Sequence, residues 1–272
     1  MLKTTQPDTA PQAALERRAA PTFFIDPEGI AMIWQRDMVR LWRQRSRLLG
    51  AVARALVWLF ALGFGLRGSL GSIAGFSYEQ FVFPGVIAMT VIFSGLQSAI
   101  SIVYDREFGF LKEVQVAPTP RSTLVIGKSL GGASSSTVQA LIILIFAPLA
   151  AVHLTPLNVF ATILATFVTA LAISSMGVVI AMSIKDFENF GTFQNFITLP
   201  LYMFSGAIFP TRQVPGWLHT VLLLNPLAYG VNAIRGVLLG YESASVPYNL
   251  AILLGFTIVM LLIAIALSYR EM

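Results

Sequence analysis

The sequence predicts an all-α integral membrane protein of six transmembrane helices, with an N-terminal amphipathic interface helix and an external re-entrant helical hairpin before the last span. Three observations predict it. Of 272 residues, 56% are hydrophobic and 11% charged, with a mean hydropathy of +0.75, which leaves too little polar surface to wrap a water-soluble globule. Apolar stretches near residues 48–66, 81–104, 124–152, 157–184, 193–209 and 248–267 approach or exceed the about 20 residues that cross about 30 Å of hydrocarbon. The cations are also unevenly divided. Lys3, Arg17, Arg18, Arg36, Arg40, Arg43, Arg45 and Arg47 precede the first span, and Arg106, Lys112, Arg121 and Lys185 occupy the second and fourth connections. The alternate connections hold only Arg67, Arg212 and Arg235, so the first set marks the cytoplasmic side and both termini lie there. None of these stretches shows the alternation of a barrel strand, and hydrocarbon leaves helices as the economical way to satisfy the backbone.

Taken in order, residues 1–25 read as a flexible cytoplasmic tail, with three prolines and few large apolar groups before Phe23. Residues 26–47 read as the interface helix, with Asp26 as N-cap and Pro27 in the first turn. Ile30, Trp34, Met38, Leu41 and Trp42 recur at helical spacing, and Arg36, Arg40, Arg43 and Arg47 recur on the opposite side. Such a helix lies at headgroup level, its tryptophans in the interface and its guanidiniums near anionic lipid; the alternative is a positively charged flank that happens to be helical. No apolar stretch precedes Leu48, so the first span is expected to act as the insertion signal rather than a cleaved leader. Within that span Arg54, seven residues after Arg47, either snorkels to the interface or pairs with a lipid or substrate anion.

Between the second and third spans lies YDREFGFLKEVQVAPTPRS, Tyr104 to Ser122, rich in charge and closed by Pro118 and Pro120. Phe108, Leu111 and Val114 or Gln115 share a helical face, so the segment is either a short amphipathic helix below the membrane or a solvated loop anchored by its apolar residues. In the third span Gly127, Gly131 and Gly132, followed by Ser134, Ser135 and Ser136, predict close helix packing, and Lys128 is expected to snorkel to the cytoplasmic phosphates. Between Pro210 and Pro247, Trp217–Leu224 and Ala228–Leu239 are each too short to span and are separated by Asn225 and Pro226. They predict a hairpin dipping into the outer leaflet, over residues 212–240, or else an external amphipathic cap.

Several chemistries have no support. The chain has no cysteine, hence no thiol chemistry or disulfide, and His153 and His219 stand without partners at metal-ligand spacing. Gly127-Lys128-Ser129 is no phosphate-binding loop, because Ser122 stands where that pattern needs glycine. The net charge of +5 follows from topology rather than from nucleic-acid binding. The spans carry no buried Asp or Glu, which argues against a proton relay.

YEQFVFPGVIAMTVIFSGLQSAISIVYDREFGFLKEVQVAPTPRSTLVIGKSLGG, with its Phe-Pro-Gly, Asp-Arg-Glu-x-Gly and Gly-Lys features, resembles the core signature of ABC-2 type exporter membrane subunits. SGAIFPTRQVPGWLHTVLLLNPLAYGVNAIRGVLLG resembles the end of the fifth span and the external re-entrant segment of the same family. The resemblance implies an ABC-2 transmembrane domain over residues 48–272, working with a second copy of itself or a similar permease. Two copies of an ATP-binding subunit would dock beneath, in a bacterial-type cytoplasmic (inner) membrane. ATP and Mg would bind on those subunits, with no cofactor and no ATPase site on this chain, so it is not expected to be an enzyme. The segment 105–121 becomes the ATPase-coupling element, with Asp105, Arg106, Glu107, Gly109, Lys112 and Arg121 as its working residues. The interface helix would work through Trp34, Arg36, Arg40, Trp42, Arg43 and Arg47. Met89, Phe93, Gln97, Tyr202, Met203 and Phe204 would line a translocation path along spans one, two and five. An uncharged lining of this kind suits an amphipathic or lipid-linked cargo, of drug, lipid, oligosaccharide or polysaccharide class, leaving the cytoplasm or inner leaflet. The alternatives are an ATP-independent carrier or channel and a non-transporting membrane assembly factor.

Overall fold

A computed structural model describes residues 26–73, 75–107, 120–184, 187–211, 214–241 and 244–270. Helix α1 (Pro27–Arg43) begins at Asp26, whose carboxylate accepts from the Glu28 amide at 3.1 Å, and stops at Gln44, where the backbone leaves helical geometry. Helix α2 (Arg45–Trp58) continues through a wider π-helical stretch, Leu59–Phe64. A short helix α3 (Arg67–Leu70) and a two-residue antiparallel ladder of β1 (Ser72–Ile73) and β2 (Phe76–Ser77) lead into α4 (Tyr78–Glu107). Helices α5 (Arg121–Leu144), α6 (Pro156–Ser183), α7 (Phe187–Met203), α8 (Gly216–Leu224), α9 (Pro226–Leu239) and α10 (Val246–Arg270) follow.

The described residues are mostly helical, as in an all-α membrane protein, and among them four helices are long and apolar enough to cross a bilayer: Arg45–Ser69, Tyr78–Asp105, Pro156–Ser183 and Val246–Tyr269. A fifth is reached if α8 and α9, bent by 88° at their junction, count as one span. The third and fifth expected spans fall on α5 and α7. Helix α7 has 17 residues, and α5 is interrupted by Lys128, Ser129, Ser134 to Thr137 and Gln139.

Two expected boundaries shift for identifiable reasons. The third stretch was expected to run to Val152, but α5 ends at Leu144, four residues before Pro148, whose missing amide cannot bond that carbonyl; a short 3₁₀ turn, Ala147–Ala150, follows. The fifth stretch was expected at 193–209, whereas α7 runs from Phe187 to Met203, and Gly206, at φ +72°, turns the chain beyond it.

Helix α4 is the axis of the bundle, packed against α5, α6, α7 and α9, and α6 also packs on α5, α9 and α10. Phe81, Phe83, Ile87, Ile92, Ile173, Leu227 and Ile234 fill the core between them. Helices α2 and α10 bury only a fraction of their length, exposing Leu49, Val57 and Phe60 on one and Leu254, Ile258 and Leu262 on the other. Broad apolar faces of this kind are what a hydrocarbon solvent accepts and water does not.

Candidate functional site

Helix α1 lies against α5. Its buried or half-buried row is Gly29, Ile33, Asp37 and Leu41, four residues apart, while Trp34 and Trp42 are exposed. Gly127 and Gly131 of α5 permit this approach: a Cβ on Gly127 would come within 2.9 Å of Ile33 Cβ, and one on Gly131 within 2.6 Å of Asp37 Oδ2. The expected packing role of these glycines is thus exercised against α1. Trp34 Nε1 also donates to Ser134 Oγ at 2.9 Å.

At the foot of this contact sits a cluster of charges. Lys128 Nζ donates to Ser101 Oγ at 2.8 Å and to Asp37 Oδ1 at 3.4 Å, and lies 3.6 Å from Asp105 Oδ2. Arg36 Nη2 reaches the same Asp105 oxygen at 3.2 Å. The Lys128 side chain is only 2% exposed, so the expectation that it snorkels to lipid phosphates is corrected: two carboxylates from other helices hold it inside. The cluster joins α1, the C-terminal turns of α4 and the first turns of α5 immediately before and after the proposed coupling segment. Arg121 Nη1 makes a further tie, donating to Ser268 O at 2.8 Å with its guanidinium 5.2 Å from the Tyr269 ring centroid, so that it satisfies a last-turn carbonyl of α10.

Above the cluster are two adjoining cavities. One of about 410 Å³ is lined by Arg47, Arg54, Met89, Phe93, Gln97 and Gln139, among others. The other, of about 380 Å³, is lined in part by Asp37, Arg40, Arg47, Gln97, Ser101 and Tyr104. Arg47 and Gln97 border both. Arg47 therefore turns into the bundle from α2, one residue row past the break at Gln44, and donates to Ser94 O at 3.3 Å. Arg54 lies with its guanidinium carbon 4.5 Å from the Phe93 ring centroid. The expected uncharged lining is corrected by these two arginines. Of the six expected path residues, Met89, Phe93 and Gln97 meet in the first cavity. Tyr202 is instead buried edge-on against Trp58 with ring centroids 5.8 Å apart, and Met203 and Phe204 are exposed. Gln97 Oε1 accepts from Gln194 Nε2 of α7 at 3.2 Å.

A third polar constellation holds the bent pair α8–α9 to the end of α7. Asn225 caps α9 through the Leu227 amide at 2.9 Å and donates its own amide to Leu201 O at 2.7 Å and Phe204 O at 2.8 Å. Arg235 donates to Gly206 O at 3.0 Å and Ala207 O at 3.2 Å, and its guanidinium carbon lies 3.9 Å from the Phe81 ring centroid. It is 1% exposed, so within the connection before the last span it lies inside the bundle. Glu79, buried at the start of α4 and paired with Arg67 at 3.3 Å, corrects the expectation of no buried acid in the spans. Neither signal is visible in one dimension, since each partner lies in another helix or turn.

Of the remaining expected residues, Arg40 and Arg43 are exposed on α1, and Arg106 and Glu107 belong to the last turn of α4. Gly109 and Lys112, with the tail 1–25, lie outside the described residues.

A family model described as ABC-2 type transporter matches residues 28–239. A putative transport permease ycf38 of Cyanophora paradoxa is 25% identical over 224 residues, covering 81% of this chain and 77% of that protein. Nodulation protein J of Rhizobium leguminosarum bv. viciae is 26% identical over 245 residues, covering 88% of this chain and 93% of its own length. A putative transport permease ycf38 of Pyropia yezoensis is 27% identical over 230 residues, covering 82% and 76%.

Proposed function

This chain belongs to the ABC-2 type transporter family, as a transport permease of the membrane, and we propose that it is the transmembrane subunit of an ATP-driven exporter of amphipathic or lipid-linked molecules. One observation carries the mechanism: the charged cluster at the two ends of the coupling segment shares a wall with the 380 Å³ cavity, Asp37 and Ser101 belonging to cluster and cavity alike. Movement imposed on residues 105–121 by a partner therefore shifts the last turns of α4 and the first of α5, and with them Arg47 and Gln97. Two ATP-binding subunits, carrying ATP and Mg, supply that movement, and a second copy of this chain or a similar permease completes the path along α2, α4 and α7.

The topology proposed is six spans in a cytoplasmic membrane with both termini inside. Helix α5 takes its place among them although its hydropathy is low, because Ser129, Ser135, Ser136, Thr137 and Gln139 are buried against neighbouring helices rather than lipid, and three of them bond within the helix or to Ser94. The bent pair α8–α9 is the external re-entrant hairpin.

Purification of the tagged chain from its native membrane tests this reading. A P-loop ATPase should accompany it, and joint replacement of Glu107 and Lys112 should reduce the ATPase recovered or uncouple hydrolysis from export while insertion stays normal. Transport that persists in vesicles with no ATPase present would overturn it.

A further inference from the structure

Most cations described inside this bundle are matched. Arg36 and Lys128 face carboxylates, Arg67 faces Glu79, and Arg121 and Arg235 cap backbone carbonyls. Arg47 and Arg54 differ. Among the described residues neither has a carboxylate within ion-pair distance: Arg47 makes one hydrogen bond, to Ser94 O, and the Arg54 guanidinium carbon lies 4.5 Å from the Phe93 ring centroid. A guanidinium carries five N–H donors, so most of theirs are uncommitted. Both line the 410 Å³ cavity, and none of the residues lining it is acidic. They stand seven residues apart on one helix, about 10 Å along its axis, a separation their long side chains can close from both ends. Across the adjoining cavity Arg40 adds another cation, and the one carboxylate lining that cavity, Asp37, is already held by Lys128.

An unmatched double positive charge in a partly desolvated hollow is costly unless an anion visits it. We infer that Arg47 and Arg54 form a binding site for the phosphate of an amphiphile's headgroup. A phosphomonoester or diphosphate matches the paired charge, where a carboxylate would leave one guanidinium over, and it accepts the bidentate N–H geometry that guanidinium offers. Gln97, Gln139 and Thr90 flank the site with polar groups for the rest of a headgroup, and Met89, Phe93 and Ala55 supply its apolar wall. The Phe93 ring beside Arg54 supports its charge without consuming an N–H donor in a hydrogen bond. The inference deepens the export reading by naming the cargo's recognised group, but the binding itself requires no ATPase and is tested without one.

The full chain is placed in phosphatidylcholine nanodiscs and titrated calorimetrically with dihexanoyl phosphatidic acid, dihexanoylglycerol and inorganic phosphate. Phosphatidic acid should bind at least about tenfold more tightly than either of the others, as charge-assisted hydrogen bonds and chain burial together require. Arg47→Gln and Arg54→Gln should each remove about tenfold of that affinity, and Arg54→Lys should restore part of it. Repeating the titration in discs enriched in phosphatidylglycerol identifies the source of the phosphate: competition marks a resident bilayer lipid, and unchanged affinity marks a separate cargo. Equal binding of phosphatidic acid and diacylglycerol to the unsubstituted chain overturns the site, and this comparison needs no variant to fold. Inorganic phosphate binding as tightly as phosphatidic acid would overturn the assignment to an amphiphile.

Discussion

Removing the Lys128 ammonium separates the charge of the α1–α4–α5 junction from its packing, because in Lys128→Met an unbranched apolar chain occupies most of the same space. Ser101 loses its 2.8 Å donor, Asp37 its 3.4 Å partner and Asp105 one of two cations. Asp105 keeps Arg36 at 3.2 Å and is 24% exposed, so its loss is small; Asp37, 13% exposed, loses the ammonium that pairs with it. Breaking a fully buried pair costs about 3–5 kcal/mol, and water access to both carboxylates lowers the expectation here to about 2 kcal/mol. Adding Asp37→Asn to Lys128→Met removes the stranded charge, and the double-mutant cycle should show a coupling of about 1–2 kcal/mol. Equilibrium unfolding in detergent micelles reads the totals. Hydrogen exchange of the amides from Gly29 to Leu41 reads where they arise, and protection should fall on α1 while the middle of α6 is unchanged. Strictly additive losses, or full protection of α1 in Lys128→Met, would refute the view that charge fastens this junction.

Gly127→Val should push α1 off α5, since Ile33 stands 2.9 Å from the added Cβ, costing about 1–3 kcal/mol and speeding proteolysis near Trp34. Asn225→Ala removes one cap and two bonds to α7 carbonyls and should lower stability by about 2–4 kcal/mol, read as an earlier thermal transition in micelles. In this cysteine-free chain, Thr155→Cys and Ser245→Cys should react with an impermeant thiol reagent from outside, and Glu28→Cys only from the cytoplasmic side; the opposite sidedness would reverse the proposed topology.

What could be read from the chain alone was what depends on nearest neighbours. The Asp26–Pro27 start of α1, the long apolar runs of α2, α4, α6 and α10, and the break at Asn225–Pro226 all have local causes, and all appear where expected. The face α1 buries was not readable from its own periodicity. Gly127 and Gly131, about a hundred residues on, draw in Ile33 and Asp37, which the spacing of Ile30, Trp34, Met38, Leu41 and Trp42 does not single out. Lys128 looked like a snorkelling residue because Asp37, 91 residues earlier, is not its neighbour in sequence. The burial of Arg235 was not readable either, because only the turn beyond α7 supplies the carbonyls that allow it.

Helix α7 buries the row Phe190, Gln194, Thr198 and Tyr202 against the bundle, with Leu201 half-buried beside it, while Phe193, Phe196 and Leu199 face outward. Its Met203 end is fastened by Asn225 and Arg235, whose donors hold four consecutive-turn carbonyls from Leu201 to Ala207. A rod gripped at one end and resting on one rail is a lever. At 1.5 Å per residue it is about 25 Å long, so a tilt of about 10° about the fastened end sweeps the Phe187 end through about 4 Å, while Gln194, near mid-length, moves about half as far. That smaller excursion is enough to break the 3.2 Å bond to Gln97 and free a side chain that borders both cavities, while the gripped end stays in place.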